Sequence, residues 1–236
     1  MKRSRLILFA VLAFLMYLAL AQLQQHPGYM DADYHYYMGL RIANGEGLTE
    51  NILWNYLDEP QGLPHPSHAY WGPLPSALAA LGIGVFARLE SFQAARLPFI
   101  LLAAFVPVLV MQLTFELSRR KELAWMAGLM ALVSPFYVPY LLTTESFAPA
   151  LFLGAVIARS LLRVERGTSL SHHVFLGLAC GLLYLTRAEG LLWVLLVGIY
   201  IWLTHKSKNA RPIQPVLYFL LGFLIPVLPW LIRNQI

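Results

Sequence analysis

The chain has 236 residues, of which 58% are hydrophobic and only 12% are charged, and its mean hydropathy is +0.61. Soluble domains carry about 25% charged residues, so this composition excludes a soluble globular protein and indicates an integral membrane protein. The net charge of +5 does not indicate nucleic-acid binding, because the basic residues form short clusters between apolar segments, as the positive-inside rule expects. The single cysteine, Cys180, excludes a disulfide framework and a thiolate metal site.

The first apolar segment, Leu6 to Leu20, follows three basic residues and predicts a first span with a cytoplasmic N-terminus in the plasma (inner) membrane. Ala19-Leu20-Ala21 before Gln22 also fits a signal-peptide cleavage site, so a cleaved export signal is the alternative. We favour a retained span because the rest of the chain is polytopic. N-terminal sequencing separates the two, since a mature start at Gln22 would remove this span.

The polar region that follows, residues 22–96, is predicted to be the first extracytoplasmic loop and to hold two juxtamembrane helices. The first helix, Met30 to Asn44, carries two aspartates, one histidine and three tyrosines. The second, Leu74 to Leu89, would be about 24 Å long, which is short of the ~30 Å hydrocarbon core. Pro73 and Pro75 suit its first turn.

The distribution of basic residues decides that this second helix lies on the surface. If it spanned, ten of the 17 Lys and Arg residues would lie outside; if it does not, twelve lie inside and five outside, which fits the positive-inside rule better. Six further spans then alternate in direction: Leu97–Leu117, Leu123–Tyr140, Phe147–Leu162, Val174–Leu185, Leu191–Leu203 and Val216–Ile232. The predicted fold is an all-α polytopic membrane protein with about seven transmembrane helices in one domain, residues 1–236.

This topology brings several ionisable side chains to the extracytoplasmic ends of the helices. The grouping of the carboxylates is an independent result, because only Lys and Arg residues were counted to derive the topology. The set comprises Asp31, Asp33, His35, Glu145, Arg187 and Glu189. Ionisable groups are costly inside the bilayer. Their collection at the surface of an apolar bundle therefore suggests a site for an amphiphilic ligand whose polar head lies at the interface.

These residues also have purely structural interpretations. Met30–Asn44 could be an interfacial helix with tyrosines in the aromatic belt and Asp31 as its N-cap. Glu145 could belong to a helix N-terminus, and Arg187 could pair with Glu189 across a tight turn. Four aromatic residues could anchor the chain at the interface, stack on a sugar or line a lipid tail: Trp54, Tyr56, Tyr70 and Trp71.

The sequence is compatible with two kinds of metal site. A histidine site would combine His35 with His65 and His68, although the prolines in this loop make the spacing loose. A divalent cation held by Asp31 and Asp33 is favoured over it, because hard cations prefer carboxylate oxygens.

Several motifs occur in an order that is typical of one enzyme group. In chain order they are Asp31, His35 and Gly45 after a basic-started span; Trp71-Gly72-Pro73-Leu74-Pro75; Ala94-Ala95-Arg96; Ser134-Pro135 before Thr144-Glu145; and Leu185-Thr186-Arg187-Ala188-Glu189-Gly190. Across its whole length the chain resembles the GT-C glycosyltransferases, in particular glycosyltransferase family 39, which includes protein mannosyltransferases and lipid A aminoarabinose transferase. It departs from the group in having Asp31-Ala32-Asp33 where many members have Asp-Glu, and His35 where tyrosine is commoner.

The resemblance implies a seven-span module that transfers a sugar, with inversion, from a polyprenyl-phosphate donor to a hydroxyl of a protein, lipid or glycan. In that mechanism Asp31, with Asp33 as the alternative, deprotonates the acceptor hydroxyl. Arg96 and Arg187 would hold the donor phosphate. The other implied substrate-binding residues are His35, Tyr37, Glu145 and Glu189. Family members usually continue with further spans, so we expect a truncated product or half of a split enzyme.

Two other functions compete with sugar transfer. A lipid or sugar transporter or flippase would place ionisable residues at mid-membrane or interrupt a pair of helices, whereas the charged residues here lie at the ends of predicted spans. A non-catalytic membrane subunit of a split enzyme would copurify with a second membrane protein and show no activity alone.

Overall fold

The computed structural model describes residues 2–52, 62–134, 138–165, 167, 169–207 and 213–235. Trp54, Tyr56 and Pro135 lie outside these ranges. The described helices are α1 Arg3–Ala21, α2 Met30–Ala43, α3 Leu74–Val85, α4 Ser91–Ser118, α5 Lys121–Leu132, α6 Val138–Leu141, α7 Phe147–Val164, α8 Leu170–Thr186, α9 Gly190–Ser207 and α10 Ile213–Arg233. Two short strands, β1 Thr49–Glu50 and β2 His65–Pro66, pair antiparallel.

Five of the described helices are long and apolar enough to cross a membrane: α1, α4, α7, α9 and α10. Their apolar side chains are widely exposed; Leu195 and Leu196 on α9, for example, are 61% and 62% exposed. Exposed apolar surface on this scale is unfavourable in water but not against lipid tails. The chain is therefore a multi-pass membrane protein. The helices α5 and α8 have 12 and 17 residues, and the number of seven spans stays a prediction.

Contacts between helix ends show how the helices alternate in direction. Phe9 stacks on Trp125 near the N-termini of α1 and α5, with 5.4 Å between ring centroids, and the Tyr17 hydroxyl donates to the Leu132 carbonyl near their C-termini at 2.9 Å. These two helices run parallel. Arg96 near the start of α4 donates to a carbonyl just beyond the end of α1 at 2.8 Å, so α4 runs antiparallel to α1.

Glycines allow α8 and α10 to pack in direct backbone contact. A Cβ atom on Gly177 would lie 1.9 Å from the Phe219 carbonyl oxygen, and one on Gly222 would lie 2.1 Å from the Val174 carbonyl oxygen. No larger side chain fits such an interface, and close approach through small residues is a common way to associate helices in lipid. The pairing fixes α8 and α10 side by side. Farther along both helices, a Cβ atom on Gly181 would lie 2.7 Å from Pro226 Cγ, so the C-terminal ends of α8 and α10 lie at the same end of the bundle.

The buried apolar side chains form two clusters. The first joins α1 and α4 with α5 and includes Tyr17, Phe99 and Met111. The second joins α7 to α10 and includes Ile157 and Phe219. The helices α2 and α3 pack closely on each other, since a Cβ atom on Gly39 would lie only 2.5 Å from the Ala79 Cβ. Both lie at the end of the bundle where α1 ends and α4 begins.

Three predicted boundaries are wrong. The helix α4 begins at Ser91 rather than Leu97, because the Glu90 carboxylate accepts from the Phe92 and Gln93 backbone N–H groups at 3.1 and 3.0 Å and caps it. Ala94-Ala95-Arg96 is consequently helical. The helix α3 ends at Val85 instead of Leu89, since Phe86 leaves helical geometry at φ −111° and ψ 41°. The predicted span 123–140 contains two helices, α5 and α6.

Candidate functional site

A cavity of about 400 Å³ lies where α2, the segment 70–72, the start of α7 and the α8–α9 turn meet. We call it the polar cavity. Five of the residues predicted for a site line it: Asp31, His35, Glu145, Arg187 and Glu189. They come from three regions that are far apart in sequence, so the folded chain brings together most of the predicted site.

The helix α2 turns Asp31 and His35 to the polar cavity because the two residues are four apart and share a face. Tyr29 holds the N-cap position, and no side chain caps the helix. The interpretation of Asp31 as an N-cap is therefore wrong. Asp31 has neither a hydrogen bond nor an ion pair with another residue of the described ranges, so its carboxylate is available to a ligand.

The segment 143–146 is polar in sequence yet buried, with side chains that are 0–4% exposed. The Thr144 hydroxyl donates to the Ala32 carbonyl at 2.7 Å, and the Thr143 hydroxyl donates to the Pro27 carbonyl at 3.3 Å. These hydrogen bonds fasten the start of α7 to the start of α2. They thereby place Glu145 on the same cavity as Asp31.

Glu145 keeps one carboxylate oxygen without a partner. Its Oε1 accepts from the backbone N–H and the hydroxyl of Ser146 at 2.6 and 2.5 Å, whereas its Oε2 is buried with no hydrogen-bond donor among the described residues. The Tyr29 hydroxyl is also buried, and it interacts with the Glu145 carboxylate. Unsatisfied buried polar groups cost about 1–3 kcal/mol. Glu145 lines the polar cavity, so its carboxylate is suited to accept a hydrogen bond from a hydroxyl group of a ligand.

Tyr29 belongs to this electrostatic environment, although its sequence pattern did not single it out. Burial, together with the charges of Glu145 and Asp31, raises the pKa of the Tyr29 phenol, which is therefore a neutral donor. The available signal was its position immediately before α2, two residues from the first aspartate.

Arg187 connects the two sides of the polar cavity. One terminal nitrogen donates to the Ser146 hydroxyl at 3.0 Å and the other to Glu189 at 2.9 Å, and the guanidinium lies over the Phe147 ring at 5.3 Å. The predicted pairing across the tight turn is confirmed. The hydrogen bond from Arg187 lowers the pKa of Glu189. A guanidinium has five N–H donors, so Arg187 retains donors for an anionic ligand.

His35 is 1% exposed, and its Nδ1 is 3.0 Å from the Ser76 hydroxyl. Burial, and then the nearby charge of His68, lowers the pKa of His35 to about 3, so the ring is neutral at pH 7. Its Nε2 has no partner within the described part of the chain. His35 thus contributes a neutral imidazole to the lining of the polar cavity.

Three predicted site residues, Asp33, Tyr37 and Arg96, do not line the polar cavity. Tyr37 is 53% exposed on another side of α2. Arg96 lines a separate cavity of about 710 Å³ between α1, α3 and α4, which we call the apolar groove because most of its lining is aliphatic or aromatic. Their roles in catalysis or substrate binding stay predictions.

The described residues contain no group of three His, Cys, Asp or Glu side chains placed to hold a metal ion. His35 and His68 contact opposite sides of the Ser76 hydroxyl, and His65 is 2.7 Å from the Ile52 carbonyl. These contacts occupy the histidines with other partners. A divalent cation on Asp31 and Asp33 stays a prediction.

No protein-family model matches the chain, and no curated protein matches it either. The resemblance to GT-C glycosyltransferases consequently rests on the order of the motifs. The side chains of the polar cavity provide an independent basis on which to assess the chemistry.

Proposed function

We propose that the protein is a membrane glycosyltransferase that moves a sugar from a polyprenyl-phosphate-linked donor to an acceptor hydroxyl on the extracytoplasmic face. The observation that carries the proposal is that an unpaired carboxylate, Asp31, and a guanidinium with free donors, Arg187, line one cavity at the end of an apolar helix bundle. A base and an anion-binding group are the two parts that such a transfer requires.

In the proposed reaction Asp31 accepts the proton of the acceptor hydroxyl while that oxygen attacks the anomeric carbon of the sugar. The bond between the anomeric carbon and the phosphate oxygen breaks, and polyprenyl phosphate leaves with the electron pair. Arg187 stabilises the negative charge that develops on the phosphate, which is the type of interaction that contributes most to catalysis. The sugar in the product has inverted configuration at its anomeric carbon.

The surroundings of these two groups fit a lipid-linked donor. The polar cavity lies where α8 ends and α9 begins, and α9 is among the helices long enough to cross the membrane. A polyprenyl chain can therefore stay in the bilayer while its phosphate reaches the guanidinium. Glu145 lines the same cavity, and its Oε2, which has no donor among the described residues, can accept from a sugar hydroxyl group.

The test compares Asp31→Asn with Asp33→Asn in membranes that receive a radiolabelled polyprenyl-phosphate sugar. The two substitutions are chemically identical and two residues apart on α2, but only Asp31 lines the polar cavity. We expect Asp31→Asn to lower transfer by about 10²–10⁴-fold, the usual contribution of a general base, and Asp33→Asn to change it by less than about tenfold.

Equal transfer by the wild-type protein and both variants would rule out this mechanism. Ligand flux through proteoliposomes without chemical turnover would identify a transporter instead. Activity that appears only with a copurifying membrane protein would identify a subunit of a split enzyme.

A further inference from the structure

A row of four buried side chains leads from the loop before α3 to the polar cavity. The Ser67 hydroxyl is 2.7 Å from His68 Nδ1, His68 Nε2 is 2.7 Å from the Ser76 hydroxyl, and that hydroxyl is 3.0 Å from His35 Nδ1. All four side chains are at most 1% exposed. We call them the Ser-His row. The sequence analysis considered both histidines of the row as metal ligands, but it did not indicate the serines that join them.

Both imidazoles of the row are neutral at pH 7. Burial lowers the pKa of His35 and of His68 to about 3, with a smaller contribution from neighbouring positive charge. A neutral imidazole has one N–H donor and one lone-pair acceptor. Within the described residues the two imidazoles are the partners of the Ser76 hydroxyl. When one imidazole donates to Ser76, the buried Ser76 proton can therefore be donated only to the other imidazole.

Ser67 fixes the direction of these hydrogen bonds. Its hydroxyl is 0% exposed, and among the described residues His68 Nδ1 is its one partner. If His68 donated to Ser67, the buried serine proton would have no acceptor among the described residues, which is unfavourable. Ser67 therefore donates to His68 Nδ1, His68 Nε2–H donates to Ser76, and Ser76 donates to His35 Nδ1. The proton of His35 must then be on Nε2.

The backbone around His68 holds the row in place. His68 adopts φ +63°, a left-handed conformation that is unfavourable in a residue other than glycine. Its N–H donates to the Tyr34 hydroxyl at 2.9 Å, and Arg233 at the end of α10 donates to the Ser67 carbonyl at 2.7 Å. These contacts over-determine the loop, as expected where strain serves a function.

We propose that His35 presents an N–H donor, rather than a lone pair, to the polar cavity, and that Ser67, His68 and Ser76 are positioning residues that fix this tautomer. Its ligand is an acceptor oxygen of a phosphate or a sugar. His35 is thereby excluded as a base, which leaves proton abstraction to Asp31. The role toward a sugar donor rests on the proposed function, whereas the tautomer does not.

The tautomer is measured by ¹⁵N NMR of histidine-labelled full-length protein in detergent micelles at pH 7, with His35→Gln used to assign the His35 signals. We expect the pattern of a neutral imidazole protonated on Nε2. The substitution Ser67→Ala removes the hydroxyl that donates to His68. Each of the two possible directions of hydrogen bonding along the row then leaves one polar group unsatisfied, so neither direction is preferred. We therefore expect His35 to become a mixture of tautomers. An Nδ1-protonated His35 in the wild-type protein, or an unchanged tautomer in Ser67→Ala, would overturn the inference.

The donor role is tested by comparing His35→Gln with His35→Leu in the transfer assay. The glutamine amide can donate from nearly the same position as imidazole Nε2, whereas leucine cannot donate. We expect Gln to keep transfer within about tenfold of the wild type and Leu to lose about 10²-fold, in the range for one catalytic hydrogen-bond donor. Equal losses in the two variants would contradict the donor role. The expected tautomer in a protein that transfers no sugar would instead refute the proposed function alone.

Discussion

The polar cavity and the apolar groove each contain one arginine, but the two arginines are used differently. Arg187 donates to a hydroxyl and to an exposed carboxylate at the surface of the polar cavity. Arg96 is 1% exposed, donates to the Gln24 carbonyl at 2.8 Å and to the Gln93 side chain, and lies over the Phe92 ring at 4.9 Å. Arg187 is placed to meet a ligand, whereas Arg96 ties the end of α1 to the start of α4.

The comparison teaches that a charged residue at a helix end is not sufficient evidence of a site. Arginine can satisfy a buried backbone carbonyl as well as bind a phosphate, because its guanidinium has five N–H donors. What distinguishes the polar cavity is the presence of acceptors that have no donor among the described residues, namely the Asp31 carboxylate and Glu145 Oε2.

The largest expected difference between the two regions is in catalysis. Arg187→Gln should lower sugar transfer by about 10²–10³-fold, because a preorganised donor to the developing phosphate charge is removed. The thermal midpoint in detergent should change little, since the Arg187 side chain is 36% exposed and surface pairs contribute little to stability. Radiolabelled transfer and a thermal-shift assay on the same preparation check both statements.

Arg96→Gln should have the opposite signature. Loss of a charged donor to the Gln24 carbonyl should lower the free energy of unfolding by about 1.5–3 kcal/mol, measured as a lower thermal midpoint, while the folded fraction retains transfer. The two Arg→Gln variants are each other's controls. A stable Arg96→Gln protein that has lost transfer would restore the predicted role of Arg96 in holding the donor phosphate.

A third expected effect is a dependence of stability on pH that originates beside the polar cavity. The folded pKa of His35 and His68 lies at about 3, below the ordinary 6.5, so the unfolded chain binds more protons between these values. Stability is then fully present above about pH 6.5 and falls on acidification, by up to about 1.4 kcal/mol per pH unit for each histidine.

Thermal midpoints measured from pH 7.5 to 5 test this dependence. His68→Gln should flatten the slope, whereas His26→Gln, which changes an exposed histidine outside the Ser-His row, should leave it unchanged. An equal slope in the wild-type protein and His68→Gln would show that the row is not its origin.

Much of the helical organisation could be predicted because apolar runs and basic clusters are local properties of the chain. Each of the nine predicted helical segments overlaps at least one helix of the described residues. The start of α4 was missed because the apolar run begins only at Leu97, whereas the Glu90 carboxylate caps a helix that begins at Ser91. The site was only partly predictable, since the sequence grouped residues by side of the membrane and not by distance.

Sequence alone determined that the chain is a helical membrane protein, because composition and hydropathy fix what can contact lipid. It also determined that Asp31 and His35 share one face of α2, because residues four apart lie on the same side of an α-helix. Tertiary structure decided which face meets the polar cavity. Gly39 packs against Ala79 and sets the rotation of α2 on α3, and Thr144 bonds the start of α7 to α2. Those contacts, which no local pattern encodes, bring Asp31 to the polar cavity and leave Asp33 outside it.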